Sequence, residues 1–117
     1  PRGDLAAQME VEAWRVEGLA KVFDNLVKAK EAYDQASQAS DDEAMRAAVA
    51  KARDHIAEAI AVHYRVTLAC ERTKADYLQP TILRNWSTVL PFLEETLAAL
   101  ERCLDGAPLP VIDWTGH

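Results

Sequence analysis

The sequence predicts an all-α fold, an antiparallel bundle of three long helices followed by an extended apolar C-terminal tail. Alanine is abundant, and only four glycines and five prolines occur in 117 residues, so helix is favoured nearly everywhere. Apolar residues recur at helical spacing in three stretches, and short polar turns between them make successive helices antiparallel neighbours. We expect one domain over residues 1–117, with helices at about 4–37, 41–78 and 80–105 and a tail at 106–117.

The first helix carries more apolar surface than one neighbouring helix covers. Its main stripe contains Leu5, Met9, Val16, Leu19, Ala20, Phe23, Leu26, Val27 and Tyr33, and a smaller-residue stripe contains Val11, Trp14, Gly18, Val22 and Ala29. Two neighbours within the bundle would cover both stripes, and so would one neighbour plus a second copy of the chain. Because glycine costs a helix interior up to ~1 kcal/mol relative to alanine, we expect Gly18 to let another helix come close.

The second helix is the element around which the bundle is organised. Ser40 and Glu43 fit a capping box at its start, and no glycine or proline follows before Pro80. One face is apolar and contains Met45, Val49, Ala52, Ile56, Ala59, Ile60, Val66 and Tyr77. His63 lies near the centre of that face, where a titratable side chain is out of character.

The third helix and the tail are shaped by proline and glycine. Pro80 suits a first-turn position, Pro91 predicts a kink, and Gly106 is the expected left-handed C-cap. The inward face contains Ile82, Trp86, Val89, Leu90, Leu93, Leu97, Leu100 and Leu104. Beyond Gly106 the apolar tail residues favour packing across the chain's own bundle over docking on a partner.

Charge and composition exclude some classes of function. The net charge of −6 and pI of about 5.0 provide no basic stripe for nucleic acid. No apolar run approaches the ~18 residues of a membrane span, and the start lacks a signal-peptide pattern. A hairpin turning near Pro80 would place Cys70 and Cys103 about 20 Å apart, too far for a disulfide. We therefore expect free thiols and a cytoplasmic location.

One set of inward polar residues is a candidate ligand site. In such a bundle, residue numbers facing each other sum to about 78 across helices one and two and about 159 across helices two and three. These registers bring together Glu12, His63 and Thr96, with Thr67 and Cys70 beside them. Buried polar groups must satisfy one another or bind something. A satisfied core network that sets helix register is the favoured interpretation, ahead of a small-ligand pocket and of metal or acid–base chemistry.

Patterns that would indicate catalysis, a metal or a cofactor are missing from the sequence. Di-iron bundles use Glu-x-x-His pairs, and the chain has only the reversed order at His55 and Glu58. The four glycines are isolated, so they form no phosphate loop. Cys70 and His63 are two turns apart, beyond hydrogen-bond reach. We predict no catalytic residue, metal or cofactor, and an enzyme is the less favoured class.

Aromatic and small residues outside the inward faces suggest an interaction surface. Tyrosine, tryptophan and arginine are enriched at interface centres, although ordinary bundle core is the slightly favoured interpretation of the same residues. The candidate interface residues are Trp14, Gly18, Val22, Tyr64, Leu68, Trp86 and Trp114. The sequence thus favours a non-enzymatic interaction module that binds a protein partner or a second copy of itself. The alternative is a small-molecule-binding bundle with its pocket at His63, Glu12 and Thr96.

Overall fold

The computed structural model describes residues 2–73 and 89–114, with side chains at Met9, Ala13, 16–68 and 89–114. Three helices make up most of this part of the chain: α1 (Arg2–Ser37), α2 (Asp42–Thr73) and α3 (Val89–Leu104). No strand occurs in the described ranges, so the all-α class is confirmed. The predicted end of the second helix at 78 and start of the third at 80 lie outside the described residues.

Asp41 caps α2, one residue later than the Ser40 cap that the capping-box pattern predicts. The Ala44 amide donates to Asp41 Oδ1 at 2.7 Å, and the Met45 amide donates to the Asp41 carbonyl oxygen at 3.0 Å. Aspartate and serine are about equally good at this position, and the carboxylate also complements the positive end of the helix dipole. The turn from α1 to α2 therefore needs only the residues from 38 to 41.

α1 and α2 pack closely because their facing surfaces are made of small residues. The core is lined on α1 by Val22, Ala29, Ala32 and Ala36, and on α2 by Ala48, Val49, Ala52, Ile56, Ala59, Val62 and Val66. A Cβ atom built on Gly18 would overlap the Cγ2 methyl of Val66, and it would lie 3.8 Å from Val62 Cγ1. The expected role of Gly18 in close helix approach is confirmed, and the approaching helix is α2.

α2 is the middle of the three described helices. It packs along both α1 and α3, whereas α1 and α3 touch each other at most marginally. Leu93, Leu100 and Cys103 form the buried face of α3. Within residues 2–73 and 89–114, the helices therefore pack as a bundle in which α2 makes most of the helix–helix contacts.

The register of α3 on α2 differs from the predicted one. Cys103 Sγ lies 3.7 Å from Met45 Sδ, so their residue numbers sum to 148 rather than to the predicted ~159. The prediction assumed a tight turn at Pro80 that would have placed Cys103 level with Ile56. The connection that sets the register lies between 73 and 89, outside the described residues.

α3 ends in a Schellman motif that α2 supports. Gly106 has a φ of +118°, which confirms the predicted left-handed C-cap. The amides of Gly106 and Ala107 donate to the carbonyl oxygens of Cys103 at 3.1 Å and Arg102 at 3.0 Å, the bonding pattern of that motif. The Arg46 guanidinium also donates to the Cys103 carbonyl oxygen and reaches that of Ala107 at 3.5 Å.

The C-terminal tail packs back across the chain's own bundle, as the sequence predicts. The Tyr33 hydroxyl donates to the Pro110 carbonyl oxygen at 2.6 Å. The ring centroid of Trp114 lies 5.6 Å from that of Tyr33 and 6.0 Å from that of Phe92. The indole therefore bridges α1 and α3. Val111 is the exception among the apolar tail residues, because it is 99% exposed.

Pro91 lies in the first turn of α3 and is exposed. A first-turn proline needs no hydrogen-bonded amide. Because the residues before Val89 lie outside the described part, the predicted kink stays a prediction.

Candidate functional site

The most distinctive surface of the protein is an exposed apolar seam along α1. Met9, Val16, Phe23 and Val27 are 66%, 54%, 55% and 56% exposed. Ala13 and Ala20, which lie between them on the same face, are exposed as well. We call these six residues the α1 seam. Isolated apolar residues are common on protein surfaces, but a continuous stripe of this kind indicates an interaction site.

The spacing of the α1 seam is that of a coiled coil. Its six residues follow one another at alternating intervals of four and three along α1. This is the heptad repeat of the a and d positions that meet a partner helix. Large side chains occupy the positions 9, 16 and 23, and alanines occupy 13 and 20. The stripe runs for about 27 Å along the helix.

The two borders of the α1 seam differ in polarity. One border carries Leu19 and Leu26, which are half-buried against the core. The other carries ion pairs one turn apart, Glu17 with Lys21 at 3.2 Å and Asp24 with Lys28 at 3.1 Å. By spacing Glu10 belongs to the same border, one heptad before Glu17, so three acids and two bases leave this border weakly acidic.

The seam is exposed because α2 takes the other face of α1. The sequence analysis predicted two stripes on the first helix and expected both to be covered. The smaller-residue stripe, with Gly18, Val22 and Ala29, packs against α2, whereas much of the larger-residue stripe faces outward. The 4–3 spacing of Met9 to Val27 is the signal that could have separated the seam from the core.

The predicted interface residues fall into three environments. Gly18 and Val22 are taken up by the chain's own contact between α1 and α2. Tyr64 and Leu68, 53% and 46% exposed, form a second apolar patch one turn apart on α2. Trp114 is half-buried between Tyr33 and Phe92. The side chain of Trp14 and the whole of Trp86 lie outside the described residues.

His63, the centre of the predicted polar cluster, is buried in the fold. It is 6% exposed, and its ring meets the Tyr64 ring edge-on with centroids 5.4 Å apart. Burial lowers the pKa of His63 by disfavouring the charged imidazolium, and the Glu94 carboxylate partly raises it again. The net result is a pKa below the ordinary value of 6.5, which favours the neutral ring.

Only part of the cluster predicted around His63 lies within the described residues. The predicted register placed Glu12 opposite Val66, whereas Gly18 lies against both Val62 and Val66. Those pairs sum to 80 and 84, within about two turns of the predicted ~78. The Thr67 hydroxyl is buried without a hydrogen-bond partner in the described part of the chain. The side chains of Glu12 and Cys70 lie outside the described residues, so their place in the cluster stays a prediction.

Thr96 lines a cleft between α3 and the tail. It is 4% exposed, and the cleft has a volume of about 380 Å³. The remaining lining residues are Phe92, Glu95 and Ala99 of α3, and Val111, Ile112 and Asp113 of the tail. The sequence analysis missed this cleft because it depends on how the tail folds back, which no local pattern specifies.

A polar pair that the sequence analysis did not single out joins α1 to α2. His55 Nδ1 lies 3.0 Å from Asn25 Oδ1, and the Asn25 amide nitrogen donates to the Lys21 carbonyl oxygen at 3.0 Å. The numbers of Asn25 and His55 sum to 80, close to the sum of ~78 predicted for facing residues of the first and second helices. The pair fixes the register of α1 on α2 near the border of the core.

Cys103 is a buried free thiol. In the described ranges, His, Cys, Asp and Glu side chains form no group of three that could hold a metal ion. Within those ranges no helix has the length and apolarity needed to cross a membrane. The chain matches no known protein-family model, and comparisons with curated proteins and with solved structures found no significant match.

Proposed function

We propose that the protein is a small non-enzymatic interaction module that binds a helix of another polypeptide through the α1 seam. The single observation that carries this proposal is the exposure of four large apolar side chains at heptad spacing. Removing such side chains from water contributes roughly 25 cal/mol per Å² of apolar area, which is set against the entropy lost on association. A helix laid along the seam would cover all four at once.

The opposite face of α1 supports this function by holding the helix rigid. Its small residues pack against α2, so the seam is presented on a helix that is already formed. Pre-ordering lowers the entropy lost on binding. We further infer that the module works in the reducing cytoplasm, in keeping with the free Cys103 thiol and with the rarity of cytosolic disulfides.

A capture experiment with matched variants tests the proposed function. The full chain is immobilised as wild type, Phe23→Glu and Val111→Glu, and bound proteins from a lysate of the source cells are compared by quantitative mass spectrometry. Both substitutions place a carboxylate at an exposed apolar position, but only the first lies on the α1 seam. The proposal expects the wild-type chain to capture a protein, either a second copy of the chain or another protein. The Phe23→Glu chain should lose this binding, and the Val111→Glu chain should retain it. Identical behaviour of all three chains would count against it.

Small-molecule binding is a second candidate function, favoured by the cleft that Thr96 lines. Its volume of about 380 Å³ lies in the range of ligand pockets. Phe92 and Ile112 supply apolar walls, and Glu95 brings a carboxylate, so an apolar cation is the best-matched ligand class. A thermal-shift series with alkyl and aryl amines tests this function, with Ala99→Trp as the variant that fills the cleft. Shifts that survive Ala99→Trp would remove the cleft from consideration.

A further inference from the structure

We infer that the α1 seam binds the α1 seam of a second copy of this chain, with the two helices antiparallel. This inference rests on the proposed function, because it names the partner of the same surface. Its basis is that the seam is complementary to itself in side-chain size, in polarity at its borders and in length. Each property can be read from residues of α1.

Side-chain sizes match when the helices run in opposite directions. An antiparallel pair in which facing residue numbers sum to 36 uses all six seam positions, because 9 faces 27, 13 faces 23 and 16 faces 20. Phe23 of one copy then meets Ala13 of the other, and Val16 meets Ala20. Large side chains therefore fill the space left by alanines, which produces the dense packing that stable interfaces require.

A parallel pair would pack the same residues badly. In parallel coiled coils, equivalent positions face each other, so Phe23 would meet Phe23 and Ala20 would meet Ala20. Crowded layers would alternate with gaps, and gaps of this kind destabilise packed surfaces. The leucine border of one helix would also lie along the charged border of the other. The antiparallel arrangement instead brings Leu19 of one copy near Leu19 of its partner.

Charge at the borders permits self-association of this acidic chain. The antiparallel arrangement brings together the two borders that carry Glu17 and Lys21. Each Glu17 is already paired with Lys21 at 3.2 Å, which offsets part of the repulsion between the two approaching borders. Residues from 80 onward contain two basic and five acidic groups, and this acidic excess lies outside α1. α1 itself carries five basic and seven acidic groups, −2 of the total of −6, so most of the charge that repels a second copy lies outside α1.

Length also favours a second copy as the occupant. The seam extends about 27 Å, and an antiparallel copy centred on residue 18 covers it from end to end. Two α1–α2 hairpins joined in this way form a four-helix arrangement with both α1 helices inside, a common solution for amphipathic helices. Two-fold pairing of one surface with itself is also the commonest symmetry of protein oligomers.

Cysteine cross-linking of the full chain tests both partner and direction. Chains with Ala20→Cys are mixed with chains with Val16→Cys, oxidised, and mapped by peptide mass spectrometry so that links to Cys70 or Cys103 are recognised. A disulfide needs Cα atoms within ~7 Å. In the antiparallel pair, position 16 of one copy faces position 20 of the other. The two copies of position 20 are instead about 6 Å apart along the helix axis, in addition to the distance between the two helices.

The inference expects a 16–20 link between copies, at least tenfold more abundant than 16–16 or 20–20 links. Adding Val27→Glu to both chains should abolish the link, and adding Val111→Glu should leave it intact. A dominant 20–20 link would mean a parallel pair and would overturn the inference, as would a dimer without the 16–20 link. A strictly monomeric chain would also overturn it. If such a monomer still captured another protein that Phe23→Glu loses, the proposed function would stand while the inference failed.

Discussion

Gly18 of α1 lies directly beneath Val66 of α2, so close that a Cβ atom on residue 18 would overlap the valine Cγ2 methyl. This contact determines the orientation of α1. Once Gly18 and Val22 face α2, the heptad positions from Met9 to Val27 are turned toward solvent. The close approach of two helices and the exposure of the α1 seam are therefore two consequences of the same helix rotation.

Replacing Gly18 with alanine should destabilise the fold by about 1–3 kcal/mol, the usual cost of overpacking. Alanine gains up to ~1 kcal/mol in helix propensity, but Val66 cannot move aside easily because β-branched side chains keep one rotamer in a helix. Urea unfolding followed by circular dichroism measures the change. The double variant Gly18→Ala, Val66→Ala should lose less than the sum of the two single losses. A stabilised Gly18→Ala protein would contradict this contact.

The pKa of His63 predicts how stability depends on pH. Because burial holds this pKa below 6.5 in the folded protein, the unfolded chain binds a proton more readily than the folded one. The stability associated with neutral His63 should be present above pH 6.5 and should fall as the pH drops from 6.5 through the folded-state pKa. Melting temperatures of wild type and His63→Gln between pH 7.5 and 5 test this, with a smaller decline expected for the variant.

A direct titration provides the check on that experiment. Nitrogen-15 NMR of the imidazole should place the His63 midpoint below 6.5. A midpoint above 6.5 would mean that the Glu94 carboxylate outweighs burial, which reverses the order of the two causes.

The Tyr33 hydroxyl should hold the tail against α1. Tyr33→Phe removes the 2.6 Å hydrogen bond to the Pro110 carbonyl oxygen and keeps the ring contact with Trp114. We expect a loss of about 0.5–1.5 kcal/mol and faster amide exchange at Val111 and Ile112. Tyr64→Phe is the matched control, because Tyr64 is exposed and its replacement should change little. Equal effects of the two substitutions would contradict this role of Tyr33.

Arg46 should stabilise the end of α3. Its guanidinium donates to the Cys103 carbonyl oxygen, so Arg46→Ala leaves the end of α3 with one fewer donor, at a cost of about 1–3 kcal/mol. Arg53→Ala is the comparison, because Arg53 pairs at 2.8 Å with its exposed neighbour Asp54 and such pairs contribute about 0–1 kcal/mol. Chemical unfolding of both variants measures the difference, and a larger loss for Arg53→Ala would refute the assignment.

Local features of this fold could be predicted from sequence because local chemistry determines them. Gly106 was predicted as a left-handed C-cap, and its positive φ confirms it. Short polar segments correctly indicated the turn between α1 and α2. The cap of α2 was misplaced by one residue because Ser40 and Asp41 are both good caps.

Long-range features were harder to predict because several arrangements satisfy the same pattern. The two stripes of α1 both suit a core, and the choice between them depends on how closely Gly18 lets α2 approach. The register of α3 depended on an assumed turn, and where Met45 meets Cys103 it differs from the predicted one by about ten residues. The cluster of Glu12, His63 and Thr96 stays a prediction. Burial of His63 and Thr96 agrees with their inward placement.

The mass of the protein in solution is the most direct test of the central claim, that the α1 seam is a self-binding surface. Sedimentation equilibrium of the wild type from about 1 to 100 µM, the usual range for reversible association, should show twice the 13.0 kDa chain mass. Val27→Glu should sediment as a monomer at every concentration, and Val111→Glu should behave as the wild type. A wild type that stays at 13.0 kDa throughout, or a Val27→Glu variant that still doubles its mass, would contradict the claim.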